Sequence, residues 1–280
     1  MSDYENRPVP EGINISPSHP LKEFGLLVGG ISAVLLTGVL LLALLAGHLV
    51  RYVPFAQEKA LLSGVDIGWL KDDQNTAHQQ KQRYLQALAE RLATNMQLPP
   101  DMSFSLHYSP DATVNAMATL GGHIVVYQGL LDTLPSENAL AMVLAHEMAH
   151  VRQRHPIVAV GRGFAVMLAL SSLAGVGDGA MQQWVGNMGM LSMLSFSRAQ
   201  EEDADAEALQ TVQRTYGHVG DAAAFFEYIA SRPQSLETPA IFNTHPDHAA
   251  RIARIQQFAQ AHPAAAGQTS QPLPPFMQSR

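Results

Sequence analysis

His146-Glu147-Met148-Ala149-His150 is the stretch on which the reading of this chain turns. It lies in a segment, Ser136 to His155, that reads as one helix. Ser136 suits an N-cap and Glu137 the first turn, Leu140, Val143, Leu144 and Val151 supply apolar cover, and Pro156 stops the run. On a helix, residues four apart stand one above the other, so His146 and His150 aim at one point. Two neutral imidazoles aimed together make half of a tetrahedral zinc site. Glu147, beside the first of them, is suited to take a proton from a water activated there. The expectation is a zinc-dependent peptidase with one Zn²⁺ per chain.

Two histidines need a third protein ligand, with a fourth position left to water. The candidates are His155, Glu201, Glu202, Asp203, Asp205 and His245. At about 100° per residue, His155 falls about 180° from the face of His146 on a continuous helix, so it points away. Residues 198–214 read as a second helix, on which Glu201 and Asp205 are four apart. One of these carboxylates then reaches the metal while the other accepts the N–H of a ligating histidine. Glu202 and Asp203 turn to solvent.

Outward from this centre, the chain divides into an expected order. Residues 1–23 are polar and proline-rich and read as a flexible tail. Residues 24–50 carry no Asp, Glu, Lys or Arg and are long enough to cross a hydrocarbon core of about 30 Å, giving a transmembrane anchor. Residues 51–75 form a connector, 76–262 the metallopeptidase domain, and 263–280 a disordered proline-rich tail. Residues 76–96 repeat Tyr84, Leu85, Leu88, Leu92 and Met96 at helical spacing. Two extended runs, Thr113 to Thr119 and His123 to Tyr127, flank Gly121-Gly122 and predict a β-hairpin. Its strand Asn115-Ala116-Met117-Ala118 is a candidate substrate-binding edge, because an exposed edge pairs with an extended peptide. Residues 157–196 read as amphipathic helices on the domain or the membrane surface, with a membrane hairpin as the competing reading. The fold class is α+β: a mostly helical zincin-like domain with a small hairpin or sheet, behind an N-terminal transmembrane helix.

Composition narrows the function. A formal net charge of -7 without a Lys/Arg block leaves no footprint for nucleic acid. The absence of cysteine excludes disulfides, thiolate zinc sites, a thiol nucleophile and a lipoprotein anchor. The expected partners are protein or peptide substrates and a lipid bilayer.

His146 to His150, followed by Ser197-Arg198-Ala199-Gln200-Glu201-Glu202-Asp203-Ala204-Asp205, resembles the paired signature of the HtpX and CAAX-prenyl-protease family of gluzincins. Asn115-Ala116-Met117-Ala118, Gly129-Leu130-Leu131 and Thr244-His245-Pro246 with Arg251 are similar to three further elements of that family, in the same order. The resemblance implies zinc, endopeptidase activity on misfolded, membrane or envelope proteins, and a role in quality control. It also implies Glu201 as the third ligand, Asp205 as its hydrogen-bonding partner shell, and His245 near the metal as an oxyanion donor, helped by Arg251. A single N-terminal anchor, with no tetratricopeptide repeats legible after residue 263, is most similar to single-anchor bacterial members and the mitochondrial Oma-type branch. On that basis the expected location is a bacterial inner membrane, single-pass, with the catalytic domain periplasmic. Two other readings compete: a restrained zinc-binding scaffold or chaperone, and a multi-span intramembrane protease.

Overall fold

The computed structural model describes residues 19–62, 74–174, 196–231 and 248–279. His245, most of the leading tail, residues 63–73 and residues 175–195 lie outside them. The architecture is α+β: nine α-helices and a three-stranded sheet among the described residues.

Helix α1, Pro20–Leu49, starts with proline in its first turn, where a missing N–H costs nothing. Its apolar side chains stay exposed, and only Ala43 and Gly47 are buried. A 3-10 turn, Val50–Tyr52, leads to α2, Phe55–Leu62. The expected connector is therefore helical in its first half, and it is tied to the domain. Phe55 is buried, and the Glu58 carboxylate accepts the Gly121 N–H at 2.8 Å and pairs with Arg154 at 2.9 Å.

Helix α3, Thr76–Asn95, is capped by Asn75, which accepts the Ala77 N–H. Leu85, Leu88, Ala89 and Leu92 form the stripe it buries. Strands β1 (Ser105–Ser109), β2 (Ala116–Ala118) and β3 (His123–Tyr127) make the sheet in the order β1-β3-β2. β2 and β3 are the antiparallel hairpin, with Met117 opposite Val125, while β1 runs parallel to β3 on its other side. The turn needs its glycines. Gly121 and Gly122 have φ of 67° and 79°, and a Cβ on Gly122 would meet the Ser103 carbonyl oxygen at 2.2 Å. β2 is left as an edge.

After the short α4, Gln128–Thr133, the central helix α5 runs Glu137–Arg152, with the Ser136 hydroxyl accepting the Ala139 N–H. Every residue from Glu137 to Val151 is buried. β2, α3 and α7 (Arg198–Tyr216) pack around α5, so its polar side chains face only protein. α7 opens with a capping box between Ser197 and Gln200 and closes on Gly217 at φ 78°. Helices α8 (Ala224–Ala230) and α9 (His248–Ala261) close the far side.

Two sequence expectations need correction. α5 ends at Arg152, not at Pro156: Arg154 takes φ 65° and a new helix, α6 (His155–Ala174), begins at once with Pro156 in its first turn. α6 packs along α1 and also meets α5, and the rest of the expected 157–196 helices, residues 175–195, lies outside the described residues. The tail after residue 263 is ordered through Ser279. Met277 is fully buried, Phe276 meets the Tyr84 ring edge-on at 5.8 Å, and Glu137 N–H donates to the Gln271 carbonyl at 2.8 Å. Prolines there reduce the chain entropy lost on docking, so a proline-rich composition does not by itself mean disorder.

Candidate metal centre and active site

The site is built across two helices. α5 presents His146 and His150 one turn apart, with rings edge-on at a centroid distance of 4.6 Å. Their Nε2 atoms lie 3.0 Å apart. α7 brings Glu201 to them: Oε2 is 3.4 Å from His146 Nε2, and Oε1 is 3.4 Å from His150 Nε2. All three side chains are buried. Donor atoms bound to zinc at about 2.0–2.1 Å in a tetrahedron lie about 3.3 Å apart, so two imidazoles and one carboxylate at these separations fit such an ion. The cluster offers three protein donors, the number that catalytic zinc sites use when the remaining position is left open.

Charge around the cluster agrees with that donor set. Asp205, one turn along α7 from Glu201, lies 3.0 Å from His146 Nδ1. Burial disfavours both charged forms, and Arg251 further opposes a proton on His146. The hydrogen bonds and charges of Asp205 and Glu201 outweigh this and raise His146 to about 9. Burial likewise pushes Asp205 up, but its hydrogen bond to His146 and the Arg251 charge hold it well below the usual carboxylate range. The surroundings of His146 thus favour positive charge at its ring, and a cation bound there would take the place of the proton.

Glu147 sits on the other side of the pair. It is buried, and its Oε2 accepts the Ala118 backbone N–H at 2.7 Å. In β2, Asn115 and Thr119 exchange hydrogen bonds with β3, so Ala118 turns its N–H to the outer edge, towards Glu147. The candidate base and the candidate substrate strand are therefore joined by one hydrogen bond. Asn115, Ala116, Met117 and Ala118 are all buried.

Arg251 lies behind the ligands. Its Nε donates to Asp205 Oδ2 at 2.8 Å, its Nη2 donates to Glu201, and its guanidinium covers the Phe226 ring at 4.7 Å. In this position Arg251 balances the two carboxylates on the side of α9. Arg254 adds a second cation, 3.0 Å from Asp205 Oδ2. Glu202 and Asp203 are exposed, as their helical phase requires.

Two contacts escaped sequence reasoning. His155 does not point away. Its Nδ1 lies 2.8 Å from His150 Nδ1, and both rings are buried. Were His150 Nε2 to hold a metal, its Nδ1–H would be the donor to His155 Nδ1. The helix break at Arg154 makes this contact, and Pro156 was its legible signal, since proline favours the first turn of a new helix. Phe196 stacks on the other face of His150, centroid to centroid 4.0 Å. That contact spans the segment between α6 and α7 and has no local signature.

A model of peptidase family M48 matches residues 79–259, from within α3 to within α9. The chain belongs to peptidase family M48. Among M48 relatives, it is 31% identical over 161 residues to the mitochondrial metalloendopeptidase OMA1 of Schizosaccharomyces pombe, covering 56% of this chain and 47% of that one. The beta-barrel assembly-enhancing protease of Escherichia coli K12 is 28% identical over 194 residues, covering 61% and 37%. The metalloprotease LoiP of the same organism is 30% identical over 185 residues, covering 64% and 71%. This chain thus spans less than half the length of the first two relatives. The M48 match takes in both metal-site helices and the sheet, and leaves α1 and α2 outside.

Proposed function

We propose that the protein is a membrane-anchored, zinc-dependent endopeptidase that hydrolyses peptide bonds of misfolded or membrane and envelope proteins. The observation that carries this reading is the meeting of His146, His150 and Glu201, with Glu147, the next residue to His146 in α5, buried and bonded to the edge of β2. His146, His150 and Glu201 would hold the zinc, and a zinc bound there would supply polarisation of the scissile carbonyl and a lowered pKa of water. Glu147 takes the proton of the attacking water and returns it to the leaving amine. The Ala118 N–H holds the Glu147 carboxylate in line for both transfers. Asp205 and His155 fix the ring orientations of His146 and His150 from behind. The substrate adds as a strand to β2, along Asn115 to Ala118. His245, outside the described residues, is the proposed donor to the oxyanion.

Relatives described as a mitochondrial metalloendopeptidase and a beta-barrel assembly-enhancing protease support a role in membrane or envelope protein quality control. With α1 as the anchor, the proposed location is a bacterial inner membrane with the catalytic domain on the periplasmic face. The decisive experiment is Glu147→Gln. The variant should bind zinc as the parent does and lose casein cleavage by about 10²-fold or more. Cleavage at the parental rate would sink the assignment.

A further inference from the structure

α6 leaves the catalytic domain alongside α1, and a glycine on each helix makes room for a side chain from the other segment. A Cβ on Gly161 would lie 2.7 Å from Val50 Cγ1, and one on Gly47 would lie 2.6 Å from Arg162 Nε. Ala165 is buried on α6, as Ala43 is on α1. Close approach over small residues is how helices associate in lipid, where apolar surface alone gives no drive to pair. The outward faces remain apolar: Phe164 and Leu168 on α6 are 39% and 42% exposed, and Leu36 on α1 is 71% exposed. No Asp, Glu, Lys or Arg occurs from Gly163 to Gly177.

We propose that α6 is embedded in the bilayer with α1, so that the protein grips the membrane through a helix pair and carries its metal site at the membrane surface. This rests on the reading of α1 as a membrane anchor. If α1 occupies hydrocarbon, a helix packed along it occupies the same layer. From Arg162 to Ala174 the rise is about 18 Å, past the middle of a core about 30 Å thick. Arg162, beside Gly47, and Arg51, one turn further along the chain, mark the headgroup level, where long basic side chains lay their stems on apolar surface and their charges in the polar layer. A cavity of 440 Å³ opens between the helices where they meet the domain, lined by Ala46, Val50, Leu61, Ile157, Val160 and Phe164. Such a lining suits acyl chains entering from the bilayer. His155, the partner of His150, precedes Gly161 by a rise of about 9 Å, little more than one headgroup layer. The peptide bonds within reach are therefore those held close to the membrane: juxtamembrane segments and chains emerging from the bilayer.

The chain has no cysteine, so single thiols report cleanly. Leu36→Cys, Leu168→Cys, Ser172→Cys and Gln260→Cys variants would be treated with a membrane-impermeant maleimide in right-side-out and inverted vesicles, then again after solubilisation. Positions 168 and 172 are expected to behave like 36, labelled only after solubilisation, while 260 labels in one of the intact preparations. Leu168 is too exposed in the protein for packing alone to give that protection. Labelling of 168 and 172 as readily as 260, with 36 still protected, would overturn the embedding of α6 and leave the anchor standing. Labelling of 36 in intact vesicles would remove the anchor, and this proposal with it.

Discussion

Each imidazole of the metal centre is held at its rear nitrogen by a different kind of partner: His146 by the carboxylate of Asp205, His150 by the neutral acceptor of His155. Loss of such an outer contact typically weakens metal binding about 10–100-fold. His155→Leu should therefore weaken zinc binding within that range in a competition with a fluorescent chelator, while His155→Asn, which keeps an acceptor, should recover part of the loss. Arg251 is the other residue whose role follows from its surroundings. Replacing it with methionine leaves Glu201 and Asp205 buried without their main counter-charge, as happens when one partner of a buried pair is removed. The expected cost is about 3–5 kcal/mol in urea unfolding of the metal-free protein. Helical phase pairs His146 with His150 on α5 and Glu201 with Asp205 on α7, because each pair lies within one unbroken helix, and the resemblance implied that the two pairs meet. His155 could not be placed in this way, because the phase was carried through Arg154, where the backbone turns left-handed.

At the scale of elements, strong local signals gave the right answer and composition gave a wrong one. The glycine pair places the hairpin turn, Ser136 and Ser197 place the starts of α5 and α7, and the apolar stripe of α3 is the one it buries. β1 pairing in parallel with β3 was not legible, since a crossover leaves no mark in a five-residue strand. The residues after 263 read as disordered from their prolines, yet Met277 fills a core position and Leu273 packs against the same core. Met277→Ala should accordingly cost about 2–5 kcal/mol, the usual range for truncating a buried methionine, measured as a shift in the urea midpoint. A null effect would mean that the tail contributes little to the domain in solution.

For the whole molecule, α1 and α6 form a pair that projects from a domain whose own core is complete around α5. Deleting residues 1–53 removes α1 but leaves α6, with its apolar side chains freed on a second face. The shortened protein should still sediment with membranes after high-salt and alkaline washes; a fully soluble product would argue against α6 as a membrane element. The pairing was not legible in the sequence, because a helix that packs on an anchor and one that lies on a surface share the same apolar composition. The tail has a further consequence, in time instead of in space. Gln271 meets both Glu137 and Asn138, the first residues of the helix that carries His146 and His150, and the Ser279 N–H is taken by Asp132 at 2.7 Å. These partners are separated by more than 130 residues of synthesis, and chains fold as they emerge, N-terminal parts first. The start of the active-site helix is thus finished by residues made more than 130 positions after it. The nascent domain therefore gains a fully braced start to that helix only once residues 271–279 have been made.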